Sequence, residues 1–311
     1  MNYPIFFNSK NSLKLLGLKE NFIFLSTLYI KKKLPRVLML TGNKGSGKST
    51  LVNHLLFSIF DEKNYDKEKL ILSKDSNLFD QFKNDIFSNI IYIKGSDFKS
   101  VKVDDIRDLK KRIFQSTILD KERFIILDDI ELFNINSLNA LLKIIEEPSK
   151  NNFFFLINNK TKPLLETIKS RALEIKIILN EDKRLEIIQA LIDFFQLKKI
   201  LDPQNTQLSP GNFIKFNHIF NEYNISLDSD LIENFSLLLN LYKKNKDILF
   251  INIAYFIVDF YFKDLKVKKI YKQDKIYEMK YFICNNLNNF LLYNINQNSL
   301  INAVSNKLNH E

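Results

Sequence analysis

Five short apolar runs recur between residues 36 and 178, separated by stretches whose apolar residues return at helical spacing. The runs are RVLMLT (36–41), NIIYIK (89–94), RFIILD (123–128), FFFLIN (153–158) and LEIKII (173–178). Each run is compact and rich in Ile, Phe and Leu, which is typical of strands buried on both faces of a parallel sheet. We therefore predict a parallel sheet in which all these runs are buried strands.

Helical patterns lie between the predicted strands. In VDDIRDLKKRIF (103–114) and INSLNALLKIIEEP (135–148), apolar residues recur at every third or fourth position, and Pro148 ends the second pattern. A further helical pattern, STLVNHLLFSIF (49–60), follows the first run. This alternation of strands and helices predicts a doubly wound α/β domain.

After about residue 180 only helical patterns remain, as in LEIIQALIDFFQL (185–197) and the helix opened by SPGNFIKF (209–216). We predict an α/β domain over residues 1–179, a small helical domain over 180–229 and a larger helical domain over 230–311. The most apolar stretch, ILFINIAYFIVDFYF (248–262), contains Asn and Asp. A bilayer span needs about 20 apolar residues, so we interpret this stretch as a buried helix.

Composition changes this picture little. One cysteine in 311 residues excludes an internal disulfide framework and a zinc ribbon, and it favours a reducing, cytoplasmic setting. No secretory leader is expected, because the first ten residues lack a basic start followed by an apolar run. The net charge of +10 suits a nucleic-acid partner, but it equally suits a Lys- and Asn-rich chain with solvated helix faces. Both interpretations stay open.

The segment TGNKGSGKST (41–50) carries the most specific chemistry, because it fits the phosphate-binding pattern G-x-x-x-x-G-K-[ST]. Half of the chain's six glycines lie in it. In such a loop backbone N–H groups point at the phosphates, Lys48 reaches the β- and γ-phosphates, and Ser49 binds Mg²⁺. The candidate nucleotide-binding residues are Gly42, Asn43, Lys44, Gly45, Ser46, Gly47, Lys48, Ser49 and Thr50.

An acidic pair follows the run RFIILD, whose last residue is Asp128. We expect this strand to neighbour the strand before the loop, so that Asp128 emerges beside the phosphates and binds Mg²⁺ together with Ser49. Asp129 stands where many such ATPases carry the Glu that polarises the attacking water, and it is a weaker catalytic candidate. The alternative is that the pair simply caps a helix.

The segment LDDIELFNINSLNALLKIIEEPSKNNFFFLINNKTKPLLETIKSRA (127–172) resembles the AAA+ clamp-loader subunits of bacterial DNA polymerase III. The resemblance begins near KLPRVLMLTGNKGSGKST, continues through KSVKVDDIRDLKKRI, covers most of residues 30–216, and is strongest to the delta-prime type. It implies an AAA+ P-loop doubly wound parallel sheet, a helical lid domain and a helical C-terminal collar domain. It also implies a five-subunit ring with tau/gamma-type and delta-type subunits, which loads a sliding clamp onto primed DNA, with no membrane partner.

The resemblance also assigns roles to residues. Arg171 of the Ser170-Arg171-Ala172 segment would be an arginine finger acting in trans on a neighbour's ATP. Asn158 and Asn159 stand where the family has its sensor-1 polar residue. Asn212 replaces the lid arginine of the family's S-P-G-R motif. No zinc is expected, because residues 61–89 lack the cysteines of the family's zinc module.

These features lead to a first hypothesis of a delta-prime-like subunit that binds ATP or ADP with Mg²⁺ and whose own ATPase activity is doubtful. Asp129 and Asn212 weaken the expectation of hydrolysis but not of binding. The runner-up is an ATP-hydrolysing tau/gamma-like motor subunit. Two further classes share some of these signals, a small-molecule or nucleotide kinase with the same loop and a DNA-binding protein without enzymatic activity.

Overall fold

The computed structural model describes residues 3–97, 101–114 and 121–309. Residues 99 and 100, which open the segment KSVKVDDIRDLKKRI, lie outside the described residues. The chain forms two compact units. The N-terminal unit comprises Asn2–Leu197 and Gln207–Ile214, and the C-terminal unit comprises mainly Lys198–Thr206 and Lys215–Glu311.

A parallel five-stranded sheet, in the order β4-β5-β6-β1-β7, forms the centre of the N-terminal unit. The strands of this unit are β1 (Val37–Thr41), β2 (Tyr65–Asp66), β3 (Ile71–Leu72), β4 (Ile90–Lys94), β5 (Arg123–Asp128), β6 (Asn152–Asn158) and β7 (Leu173–Lys176). The short strands β2 and β3 form a separate antiparallel pair. All five runs expected to be strands are therefore strands of one parallel sheet.

Burial differs between the middle and the edges of this sheet. Every residue of β1, β5 and β6 is buried, as the apolar runs predict. The prediction of burial on both faces is wrong for β7, where Leu173 is 53% exposed and only one of the four residues is even partly buried. The reason is strand order, because β7 pairs only with β1 and lies at an edge. At the other edge, the last three residues of β4 are partly exposed.

Helices cover both faces of the sheet. They are α1 (Lys19–Ile30), α2 (Lys48–Phe60), α3 (Asn77–Lys83), α4 (Val103–Phe114), α5 (Ile135–Ile145), α6 (Glu166–Lys169) and α7 (Glu181–Phe195). One core joins α1, α2 and α3 to alternate residues of the strands, such as Leu38 and Phe155. A second core joins α4, α5 and α6 to the other set of alternate strand residues, such as Met39 and Phe154. The predicted doubly wound α/β architecture is therefore confirmed.

The C-terminal unit is helical. Its helices are α8 (Pro203–Thr206), α9 (Pro210–Glu222, which begins in the N-terminal unit), α10 (Leu231–Asn245), α11 (Ile248–Val267), α12 (Gln273–Tyr293) and α13 (Gln297–Asn309). From α10 onward each helix packs on the next, and α13 also packs on α10. The apolar stretch 248–262 lies in α11, with Phe250, Ile253 and Phe262 buried, so its interpretation as a buried helix is confirmed.

No helix within the described ranges combines the length and the apolar character that crossing a membrane requires. The division into domains at residues 1–179, 180–229 and 230–311 stays a prediction. The two compact units are defined by contacts within the chain, and these contacts do not distinguish a lid domain from a collar domain.

Candidate nucleotide-binding site

The loop between β1 and α2 has the backbone that its glycines allow. Gly45 and Gly47 have φ angles of +83° and +89°. Residues other than glycine rarely adopt this left-handed region. Gly47 is the residue before α2, and its carbonyl accepts the N–H of Leu51 at 2.9 Å. The first N–H groups of a helix have no partners within the helix. The start of α2 therefore provides donors for an anion.

Lys48 lies at the centre of this loop with only 2% of its surface exposed. Its Nζ donates to the carbonyl oxygens of Gly42 and Asn43, both at 2.8 Å, and to Ser46 Oγ at 3.3 Å. Burial lowers the pKa of Lys48 to about 8, although the nearby carboxylates, led by Asp128, act in the opposite direction. A buried ammonium at the start of a helix fits an anionic ligand such as a phosphate.

Ser49 Oγ donates to Asp128 Oδ2 at 2.7 Å, so the two expected Mg²⁺ ligands are in contact. The expectation that their strands are neighbours is wrong, because β6 lies between β1 and β5. The contact forms nevertheless because the carboxyl ends of parallel strands share one edge of the sheet. Burial, followed by the adjacent Asp129, raises the pKa of Asp128. A hydroxyl and a carboxylate are oxygen ligands of the kind that Mg²⁺ takes in proteins.

Tyr92 also reaches Asp128, and the sequence analysis missed it. Its hydroxyl donates to Asp128 Oδ2 at 2.7 Å from β4, the strand beside β5. Burial, followed by the Asp128 charge, raises the pKa of Tyr92 well above its ordinary value, which keeps the phenol protonated and makes it the donor. The available signal was one tyrosine near the end of an apolar run, and nothing in the pattern pairs it with Asp128.

Asp129 is buried, with 1% of its surface exposed, in a left-handed backbone conformation with φ of +53°. Its Oδ1 accepts Asn159 Nδ2 at 2.8 Å and lies 3.5 Å from Lys44 Nζ. Burial alone would raise the pKa of Asp129, but Lys44 and the hydrogen bonds from Ser96 and Asn159 outweigh it and lower the pKa. Asp129 precedes the short 3₁₀ helix Ile130–Leu132 without a side-chain capping bond, so capping does not describe its role.

The two candidate sensor residues, at the end of β6 and just after it, do different things. Asn158 pairs with Thr41 in the sheet, and its carbonyl accepts the N–H of Gly42 at 3.2 Å. Its side-chain Oδ1 accepts the N–H of Lys160 at 2.9 Å. Asn159 instead turns its amide toward the acidic pair. Of the two, the Asn159 side chain therefore contacts the expected chemistry and Asn158 supports the backbone around it.

Glu131 is a second residue that the sequence analysis missed. Its side chain is buried, and its Oε2 accepts the N–H of Asn159 at 3.1 Å. Its Oε1 accepts the N–H and the hydroxyl of Thr161 at 3.3 Å and 2.8 Å. The carboxylate thereby fixes the loop that carries Asn159. The signal was an acidic residue two positions after the acidic pair.

The segment from Ser209 to Asn212 lies directly on the phosphate-binding loop. Ser209 Oγ donates to the carbonyl of Lys44 at 2.6 Å, and the N–H of Gly211 donates to the carbonyl of Gly45 at 2.8 Å. A Cβ on Gly45 would lie 2.9 Å from the backbone nitrogen of Asn212. Asn212, which the resemblance matches with a lid arginine, thus lies next to the loop, and its side chain is a neutral amide.

The remaining candidates are placed as follows. Thr50 lies in the first turn of α2, partly buried. Arg171 follows α6, and within the described residues it contacts Glu146, with Nε 2.8 Å and Nη2 2.5 Å from Oε1, and the carbonyl of Thr167 at 2.9 Å. The structure therefore brings together the loop, the acidic pair and Asn159, while Arg171 contacts none of these residues. Its bond to Thr167 is that of a cation at a helix end.

A glycine-rich loop that joins the inner strand β1 to α2, with Asp128 reaching Ser49 from β5, defines a P-loop module of the kind that binds nucleotides. Comparison with known proteins narrows this class. The family described as "DNA polymerase III, delta subunit" matches residues 18–180, just over half of the chain. The chain belongs to this DNA polymerase III subunit family.

Individual relatives agree with this family. The DNA polymerase III subunit delta' of Pseudomonas aeruginosa is 40% identical over 76 residues, which are 24% of this chain and 23% of that protein. That of Buchnera aphidicola subsp. Schizaphis graminum is 31% identical over 117 residues, 36% of each chain. The subunit gamma of Buchnera aphidicola subsp. Acyrthosiphon pisum is 25% identical over 170 residues, 52% of this chain and 46% of that protein. The chain spans less than half the length of each.

Proposed function

We propose that this chain is a delta-prime-like subunit of a cytoplasmic DNA polymerase III clamp loader. It binds ATP or ADP with Mg²⁺ at its P-loop and presents Arg171 to the nucleotide of a neighbouring subunit. Its partners are tau/gamma-type and delta-type subunits in a five-membered ring that places a sliding clamp on primed DNA. The family match, the relatives named delta' and the geometry of the P-loop support this proposal.

In the proposed complex, the N–H groups from Gly45 to Thr50 and the ammonium of Lys48 hold the phosphates. Ser49 and Asp128 would hold Mg²⁺, which would neutralise part of the phosphate charge. Lys48 Nζ leaves its carbonyl partners and binds phosphate oxygens instead. The negative charge of the phosphates compensates the buried ammonium better than neutral carbonyls do. Asn159 keeps its hydrogen bond to Asp129 and so orders the edge of the site.

The state of Asp129 is the observation that carries the choice of a holding role over a hydrolysing one. A general base must be within reach of the water it activates, and its pKa must not be too low. Asp129 is buried, bonded to Asn159, close to Lys44, and lowered in pKa. Such a carboxylate is a poor base for an attacking water. Asn212, beside Gly45, adds no cation to stabilise charge on a γ-phosphate.

Arg171 supplies the proposed action in trans. An arginine fork matches phosphate oxygens and stays charged at any physiological pH. Its side chain is 35% exposed and its partner Glu146 is 44% exposed, so the ion pair is weak enough to open when a better anion arrives. A neighbour's γ-phosphate is such an anion.

A tau/gamma-like motor is the second candidate. The complete loop and the contact of Ser49 with Asp128 favour it, and relatives named subunit gamma match the chain over about half its length. A motor turns ATP over by itself. The isolated chain is therefore assayed for ATPase activity with and without primed DNA, and for ADP binding, beside Lys48→Ala.

The deciding experiment compares Arg171→Ala with Lys48→Ala in a complex reconstituted with partner subunits. We expect Arg171→Ala to lower ATPase and clamp loading strongly, since arginine fingers contribute about 10³-fold or more in rate, and Lys48→Ala to lower them far less. The control is Arg107→Ala, which removes an exposed arginine of α4 paired with Asp104. A silent Arg171→Ala would refute the finger. ATPase activity of the isolated chain that Lys48→Ala abolishes would establish the motor.

A further inference from the structure

The hydroxyl of Tyr92 is a polar group at the proposed Mg²⁺ site that no role assigned above uses. Tyr92 lies in the edge strand β4, aligned with Ile126 of β5 and two positions before the register of Asp128. Its side chain runs along the sheet to the carboxylate, where the hydroxyl is 2.7 Å from Oδ2. The hydroxyl is buried against Asp128, so it needs a hydrogen-bond partner, and the carboxylate is that partner.

Asp128 accepts hydrogen bonds on both oxygens. Oδ2 accepts Tyr92 and Ser49, each at 2.7 Å. Oδ1 accepts the N–H of Asp129 at 2.9 Å and lies 3.5 Å from Asn159 Nδ2. A serine hydroxyl that binds a cation through an oxygen lone pair keeps its proton, so Ser49 can still donate to Asp128 Oδ2. Tyr92 is the second side-chain donor to Oδ2 and, unlike Ser49, is not itself a proposed ligand of the cation.

The ring of Tyr92 is itself held in place. Lys10 Nζ lies 4.6 Å from the centre of the ring, a distance at which an ammonium and an aromatic face attract each other. Lys10 is fixed in turn by Asp85, 2.6 Å away. The segment around Lys10 is anchored to α2, because Asn53 Nδ2 donates to the carbonyl of Ser9 at 3.2 Å. The hydroxyl therefore meets Asp128 from a fixed direction.

We propose that Tyr92 is a positioning residue for a divalent cation at Asp128, holding the carboxylate in the orientation in which it binds the cation together with Ser49. This inference rests on the proposed nucleotide binding. Carboxylates that bind metals are themselves hydrogen-bonded, and losing such an outer partner typically lowers metal affinity about 10- to 100-fold. Tyr92 acts on the cation through Asp128 and touches neither the cation nor the nucleotide.

The test is Tyr92→Phe, which removes the hydroxyl and keeps the ring over which Lys10 lies. ADP binding is measured by calorimetry in EDTA and in excess MgCl₂, and the ratio of the two affinities gives the contribution of Mg²⁺. We expect ADP affinity in EDTA to stay as in the wild type and the Mg²⁺ contribution to fall about tenfold. The control is Tyr29→Phe, since Tyr29 donates to Glu122 Oε2 at 3.1 Å, another tyrosine bonded to a carboxylate.

Each other outcome overturns the inference. Equal losses in EDTA and in MgCl₂ would mean that the hydroxyl only stabilises the fold. A larger Mg²⁺ contribution in Tyr92→Phe would mean that the hydroxyl competes with the cation. No change, or no Mg²⁺ contribution in the wild type, would mean that Tyr92 does not position a cation ligand. The results for Tyr92→Phe leave the proposed nucleotide binding standing. A wild type without an Mg²⁺ contribution refutes the proposed Mg²⁺ site as well, and a wild-type chain that binds no ADP at all refutes the proposed function.

Discussion

Replacing Lys48 by Met is expected to leave the stability of the nucleotide-free protein about unchanged near neutral pH, to lower it at high pH, and to remove its affinity for phosphates. Lys48 is 2% exposed, and burial lowers its pKa from 10.5 to about 8. One pKa unit corresponds to about 1.4 kcal/mol, so the charged form costs about 3 kcal/mol in the folded state. Methionine has a similar length and no charge. It therefore avoids this cost, although it also loses the hydrogen bonds to Gly42 and Asn43.

The sign follows from proton linkage. Below pH 8 Lys48 is protonated in both the folded and the unfolded state, so the folded state bears the full cost of burying its charge. Between pH 8 and pH 10.5 the unfolded state binds more protons, so the wild type gains stability as the pH rises. Lys48→Met loses three hydrogen bonds, to Gly42, Asn43 and Ser46. At about 1 kcal/mol each, they offset the electrostatic cost at pH 7, so the two proteins are about equally stable there. Above pH 10 only the lost hydrogen bonds remain, so Lys48→Met is less stable than the wild type by about 3 kcal/mol.

The assay is urea unfolding of the full chain in EDTA, followed by circular dichroism at several pH values between 6 and 10. Lys44→Met is the matched control, because Lys44 belongs to the same loop but its side chain is 43% exposed. A Lys48→Met protein that is less stable than the wild type by the same amount at every pH would refute the reasoning. It would mean that Lys48 is held by its carbonyl partners and nearby carboxylates at no electrostatic cost.

Two further predictions concern carboxylates that hold candidate functional residues. Glu131→Gln leaves one acceptor oxygen for the donors of Asn159 and Thr161, so we expect faster hydrogen exchange of both amides and a loss of about 1–3 kcal/mol in stability; unchanged exchange would contradict this. Glu146→Gln releases the guanidinium of Arg171, and because the pair is partly exposed its loss changes stability by at most about 1 kcal/mol. NMR relaxation of Arg171 Nε should show greater mobility, and a rigid guanidinium in Glu146→Gln would show that other contacts hold it.

The sequence predicted those parts of the fold that depend on neighbours along the chain. The P-loop is one continuous segment, and its lysine, serine and glycines occupy the places that the pattern implies. The helix α4 coincides with the predicted pattern at residues 103–114, and the strand β5 with the run at 123–128. In both elements the local periodicity of the sequence agrees with the burial of its residues, so the sequence pattern alone is enough to predict their bounds.

Strand order and long-range contacts could not be predicted in this way. An apolar run does not reveal whether its strand lies at the middle or the edge of a sheet, which is why β7 was expected to be buried. Nor does it reveal that β6 separates β1 from β5. The partners of Asp128 and Arg171 come from strands and helices that only the folded chain brings together, so Tyr92 and Glu146 carried no signal of their roles.

Asp129 joins two segments of the site and is at the same time the proposed reason for weak turnover. Its carboxylate accepts Asn159 beyond the end of β6 and faces Lys44 in the loop, so it ties two segments of the site together. The same bonds lower its pKa, and proton-accepting power falls with the pKa of a base. A carboxylate whose pKa is lowered by such contacts is therefore a weak base toward water. The bonds that order Asp129 are therefore also the reason why we expect it to be a poor base for turnover.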